Sequence, residues 1–264
     1  MKQVCFLWGL LTFVIGPYAK GAQPTPGAVS GFNDYVTGVE SRLGRQHRAV
    51  QNFLVFEDAE RLRKGELIID RLTPSNAADL PDGMLHHWRG TAFAPGATAA
   101  DFERLMRDFN AYPQRYAPQV LSAKAIAQRG DQYQVVMRIR QKHVITVVMD
   151  TAYDVGFARL DARHGYSISR STRISEIDSP GTAKERVLSP GEENGFLWRL
   201  NTYWSYEERD DGLYMQVESI SLTRSIPTGL AWAVGPFVES LPRESLEFTL
   251  QATRDALQKH GSGQ

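Results

Sequence analysis

One cysteine occurs in 264 residues, Cys5, inside an apolar run at the start of the chain. Beyond that run there is no thiol, which excludes a disulfide framework, a thiol nucleophile and thiolate metal ligands. Net charge is also lacking: 30 Lys and Arg balance 30 Asp and Glu, so the basic footprint of a nucleic-acid binder is missing. No apolar stretch is long enough to span a bilayer comfortably, and the longest, Val4 to Ile15, falls short of the ~20 residues a helix needs. A glycine-rich phosphate loop and an HExxH zinc motif are absent as well. What is abundant is apolar and aromatic: 42% hydrophobic residues, with five Trp, ten Tyr and twelve Phe. That composition favours a sheet-rich protein with a large core.

Residues 1–21 have the pattern of a secretory signal peptide: Lys2, the short apolar run, then Ala19-Lys20-Gly21 as a small-x-small cleavage site. An uncleaved anchor is the alternative. Export without disulfides points to a periplasm or to secretion, and the mature chain is expected to hold no integral membrane span. Residues 22–83 read as an N-terminal arm. Its Gln23 to Gly31 stretch, rich in Pro and Gly, reads as a linker. Asp34 to Phe53 then carries Tyr35, Val39 and Leu43 at helical spacing. Asp58 suits the cap of a short helix that stops at Gly65.

Residues 84–260 form the main domain. Met84 to Phe93 predicts a strand, ended by Pro95-Gly96. Thr98 followed by Asp101 predicts a capped helix with Phe102, Leu105, Met106 and Phe109 on one face. From Val120 the hydrophobic period changes to two. Strands are expected over Val120–Ala127, around Tyr133–Arg140, Val144–Val155, Tyr166–Ile174 and Phe196–Tyr206. After the turn at Asp210-Asp211-Gly212, another runs from Leu213 to Leu222. Thr223 to Phe237 reads as an apolar loop. Leu241 to Leu257 predicts a long amphipathic helix, with Pro242 in its first turn. Leu246, Leu250 and Leu257 form its apolar stripe, and Arg243, Glu247, Gln251, Arg254 and Asp255 take the wet side.

This order of elements resembles the START-like and polyketide-cyclase-like (helix-grip) superfamily. The segments that carry the resemblance are Trp88 to Phe109, Trp198 to Tyr206 with Gly212, and Glu218 to Leu250. Within the last, Ser225-Ile226-Pro227, Gly229, Trp232 and Pro236 look like exported bacterial members. The resemblance implies an α+β fold, a curved antiparallel sheet wrapped on a long C-terminal helix, with an apolar cavity between them. It also implies a hydrophobic small molecule or lipid as partner, and no single activity. Residues 22–83 lie outside it.

No catalytic, cofactor or metal site stands out. His86 and His87 are adjacent on a strand and must point to opposite faces, so they cannot share a metal. Asp161, His164 and Ser167 have a triad's residue types, but triads are assembled in space and not by closeness in sequence. Arg170, Arg173, Glu207 and Glu218 lie on predicted strands as cross-strand pairs, or, for Glu218, as a polar anchor inside a cavity. The candidates for a cavity wall are Phe93, Tyr116, Met137, Met149, Trp198, Trp204, Met215, Glu218, Trp232 and Phe237, each of which could equally be plain core. The reading is a binder of an apolar ligand. A cyclase or hydrolase on the same fold, and an interaction module with a filled core, are the alternatives.

Overall fold

The computed structural model describes residues 23–49, 53–73, 79–142, 146–226 and 231–261. The expected signal peptide lies outside them.

Ten strands form one antiparallel sheet: β1 (Ile68–Arg71), β2 (Asp79–Leu80), β3 (Gly83–Pro95), β4 (Val120–Arg129), β5 (Gln132–Lys142), β6 (Thr146–Arg159), β7 (His164–Asp178), β8 (Arg186–Val187), β9 (Arg199–Arg209) and β10 (Gly212–Arg224). The lateral order is β1-β3-β10-β9-β7-β6-β5-β4, with the two-residue strands β2 on β3 and β8 on β7. The chain's first and last long strands, β3 and β10, thus lie side by side, with Glu218 opposite Arg89. Among the described residues five α-helices accompany the sheet: α1 (Pro26–Gln46), α2 (Ala59–Arg63), α3 (Ala99–Arg107), α4 (Tyr112–Arg115) and α5 (Ala231–Gly261). The result is the expected α+β helix-grip arrangement, in which the curved sheet carries α5 across one face.

Thr98 and Asp101 close a reciprocal capping box on α3, which buries Phe102, Leu105 and Met106. The α5 stripe is also as expected, with Leu246, Leu250 and Leu257 all buried in the main core. Its start is not. The helix begins at Ala231, inside the stretch read as a loop. Pro236 and Pro242 fall within it. Each removes one backbone hydrogen bond, which a helix held by packing can tolerate. Arg254, expected on the wet side, is only 13% exposed, and its guanidinium donates to the Gly65 carbonyl oxygen and to Gln251.

The N-terminal region departs from its reading: α1 ends at Gln46, short of Phe53, and β1 joins the main sheet beside β3. The supposed linker is the start of α1: Thr25 caps it by accepting from Ala28 N (3.1 Å), and Pro26 occupies the first turn. Gly31 looks like a breaker, yet a Cβ there would lie 2.7 Å from Leu80 Cδ2. The glycine lets the helix approach that side chain. Ala28, Phe32, Val36, Val39 and Leu43 then form a buried stripe.

Alternation along the central strands divides the protein into two layers. On β10, Leu213, Met215 and Val217 join the core beneath α5, whereas Ile220 and Leu222 join the core beneath α1 and Tyr214 packs with Phe53 and Leu62. On β9, Trp204 and Tyr206 face α5 and Tyr203 faces α1. The sheet is a wall shared by two cores.

Candidate functional site

The α5 face is the first candidate. α5 lies closest to β3 and β10, where Leu246 and Leu250 stand over Gly90. A Cβ on that glycine would come within 3.0 Å of Leu250. The other half of the same face is built by β4, β5 and β6. There Val120, Ala123, Ala125, Tyr133 and Met137 are only half-buried, as are Phe248, Ala252 and Ala256 on α5. Cross-strand register places Met149 on the same face, opposite Ile139 and two residues along from the Met137–Thr151 pair. α3 and α4 close one end.

Polar groups on this face are few and engaged. Thr253 donates to Thr249 O (2.7 Å) and accepts from the Tyr116 hydroxyl (3.0 Å). Burial raises the phenols of Tyr112 and Tyr116 and pushes Tyr153 up to about 12, so all three stay neutral. Glu176, 3% exposed, accepts from the backbone N–H groups of Asn194, Gly195 and Phe196 and from the Asn194 side chain, all within 3.0 Å. Its carboxylate pins a loop and leaves no oxygen idle.

The ten wall candidates separate accordingly. Tyr116, Met137, Met149, Trp204 and Met215 lie on the α5 side. Phe93 and Trp198 lie on the other side of the sheet, Trp198 against α1 and Phe93 against Tyr214. Trp232 and Phe237 fall in the early turns of α5, and their side chains are outside the described residues.

Glu218 also points away from α5. Its Oε2 accepts from His87 Nε2 (2.9 Å) and from the Arg42 guanidinium of α1. Burial alone would raise its carboxyl. The His87 hydrogen bond and the Arg42 charge outweigh burial and hold it below the ordinary range. A carboxylate only accepts, so His87 carries a proton on Nε2. In the neutral ring Nδ1 is then the acceptor for the Tyr35 hydroxyl (2.9 Å). Two of these four residues come from the arm, so spacing within the main domain could not have assembled them.

Other pairs resolve as structure. His86 shares a hydrogen bond with Thr223 (3.2 Å), across the sheet from His87. Asp161 accepts from His164 within its own turn (3.0 Å). Ser167 lies opposite Trp204 on the α5 side, whereas His164 packs against Phe53 on the α1 side, so the sheet separates the triad types. Arg170 makes a two-pronged contact with Glu40 of α1 (2.7 and 2.9 Å), and Tyr203 donates to the same carboxylate.

No family model and no curated protein matches the chain. Among solved structures it is similar to a protein of Thermus thermophilus, at 14% identity and a TM-score of 0.47 over 65% of this chain and 97% of that one. A START superfamily protein from Mycobacterium smegmatis gives 16% identity and 0.44 over 66% and 97%. A STAR-related lipid transfer protein from Xanthomonas axonopodis gives 18% and 0.41 over 68% and 96%.

Proposed function

We propose that this protein binds an apolar small molecule or lipid between α5 and the β4–β6 half of the sheet. The observation that carries the reading is the asymmetry of the α5 face. The helix rests on β3 and β10, while the side chains of β4 and β5 beside it are apolar and only half covered. The side chains there are small on both sides, Ala123 and Ala125 on β4 and Ala252 and Ala256 on α5, each half-buried against the main core. Met137 adds a deformable side chain. Burial supplies the affinity: a twelve-carbon tail offers about 10 kcal/mol before the costs of ordering it. No charged machinery is needed, and the cyclase or hydrolase alternative is disfavoured by position. The buried acid–base pair of His87 with Glu218 lies across the sheet. The signal-like residues 1–21 support export, and on this reading the binding takes place in a periplasm or beyond.

Native mass spectrometry of the purified protein, with titration of the neutral fluorophore phenylnaphthylamine, tests the reading. A co-purifying apolar molecule, or probe binding that Met137→Trp abolishes, is the expected result. A ligand-free protein that also ignores the probe would leave the filled-core interaction module standing instead.

A further inference from the structure

A concavity lies on the side of the sheet away from α5, between α1 and β3, with a volume of about 590 Å³. Tyr35, Arg42 and Arg45 border it from α1, and His87 and Arg89 from β3. Val39, Val55 and Leu72 make its apolar walls. None of its lining residues is acidic.

The charges around it do not cancel. Arg42 is matched by the buried Glu218, and Arg89 by Asp70 at 2.9 Å. Arg45 has no carboxylate partner among the described residues. One guanidinium charge is therefore left over at a mouth whose walls are apolar. Arg42 commits one nitrogen to Glu218 and another to Gln46 (3.1 Å), which leaves part of its five-donor fork unused. Glu218 itself is 2% exposed, and its Oε1 has no hydrogen-bond partner among the described residues. That buried negative charge behind the wall disfavours a dianion in front of it.

We propose that this cleft is a second ligand site, and that it takes a small monocarboxylate with an apolar body. The carboxylate sits between Arg45 and the free edge of Arg42, and the apolar body lies against Val39, Val55 and Leu72. Planar guanidinium groups match a carboxylate's two oxygens. His87, held by Glu218, fixes the Tyr35 hydroxyl and so sets the floor of the cleft. The site is independent of the apolar space beneath α5.

Benzoate and its neutral counterpart benzamide are the probes, read by calorimetry and by ¹H–¹⁵N shifts of the His87 ring. Benzoate should bind and move the His87 signals, and benzamide should bind about tenfold more weakly or not at all, the effect of one charge-assisted contact. Arg45 is exposed, so Arg45→Ala should fold normally. It should weaken benzoate by about tenfold while leaving phenylnaphthylamine binding unchanged. Met137→Trp should do the reverse. Equal binding of benzoate and benzamide, an unaltered benzoate affinity in Arg45→Ala, or loss of benzoate in Met137→Trp would each overturn the proposal.

Discussion

Leu250 is the sharpest probe of how α5 is held. It is 0% exposed and stands directly over Gly90 of β3. Truncation to Ala removes three carbons, a transfer loss of about 2.4 kcal/mol at about 0.8 kcal/mol per carbon. Gly90 has no side chain to move into the void, and beside it stand the buried Leu246 and the half-buried Ile69. The cavity therefore persists and adds to the loss, bringing the total to about 3–4 kcal/mol. For a domain of this size that lowers the melting temperature by on the order of 10 °C. Glu247 lies on the exposed side of the same turn, and Glu247→Ala should stay within about 0.5 kcal/mol. Urea denaturation of both variants, with thermal melts as a second readout, makes the comparison. Equal, small losses would mean that α5 is not clamped on β3, and the two-layer account would fail with it.

Other expectations follow from single contacts. Gly90→Ala forces a Cβ against Ile69, Leu250 and Leu246 at 3.0–3.3 Å and should cost about 1–3 kcal/mol by denaturant melting. Glu176→Ala strands three backbone N–H groups, so hydrogen exchange at Asn194, Gly195 and Phe196 should rise sharply. Unchanged protection there would contradict the anchoring role. Acid should destabilise the fold early. Burial holds both His47 and His86 down at about 4, against an ordinary value of 6.5. Between pH 6.5 and 4 the unfolded chain therefore takes up protons that the folded chain refuses. Stability is full above about 6.5 and falls through that window, and Glu218, also held low, extends the loss below it. A His47→Gln/His86→Gln variant should flatten the slope between pH 6.5 and 4 in pH-dependent denaturation. Finally, intact-mass analysis of native protein should find residues 1–21 removed. A mass that still includes Met1 would refute the export reading.

Much of this architecture is legible in the sequence, and the exceptions have identifiable causes. The capping box at Thr98 and Asp101 and the leucine spacing of α5 are local signals, and local geometry obeys them. The faces of β10 are different. Leu213, Tyr214, Met215, Val217, Ile220 and Leu222 are all buried, because the strand is covered on both sides. A strand buried twice shows little contrast between odd and even positions. Glu218 could therefore be placed on the strand but not on a side of it. Phe93 and Trp198 suffer the same ambiguity. Gly27 and Gly31 look like a flexible linker because composition does not distinguish a glycine needed for freedom from one needed for closeness. The Arg42–His87–Glu218 cluster draws on α1, β3 and β10, and no pattern within one segment encodes such a meeting.

The shared wall also imposes an order of events on folding. α1 is the first of the described elements, yet the groups it docks against lie far along the chain. Glu40 waits for Tyr203, 163 residues downstream, and Arg42 for Glu218, 176 residues downstream. Until β10 lies between β3 and β9, the stripe of Ala28, Phe32, Val36 and Leu43 lacks Ile220 and Leu222, a central part of the surface it covers. α1 is thus among the last elements to be seated, and its apolar side must be shielded in the meantime. Contacts this distant in sequence also make folding slow. β10 must be in place before α1 completes its contacts.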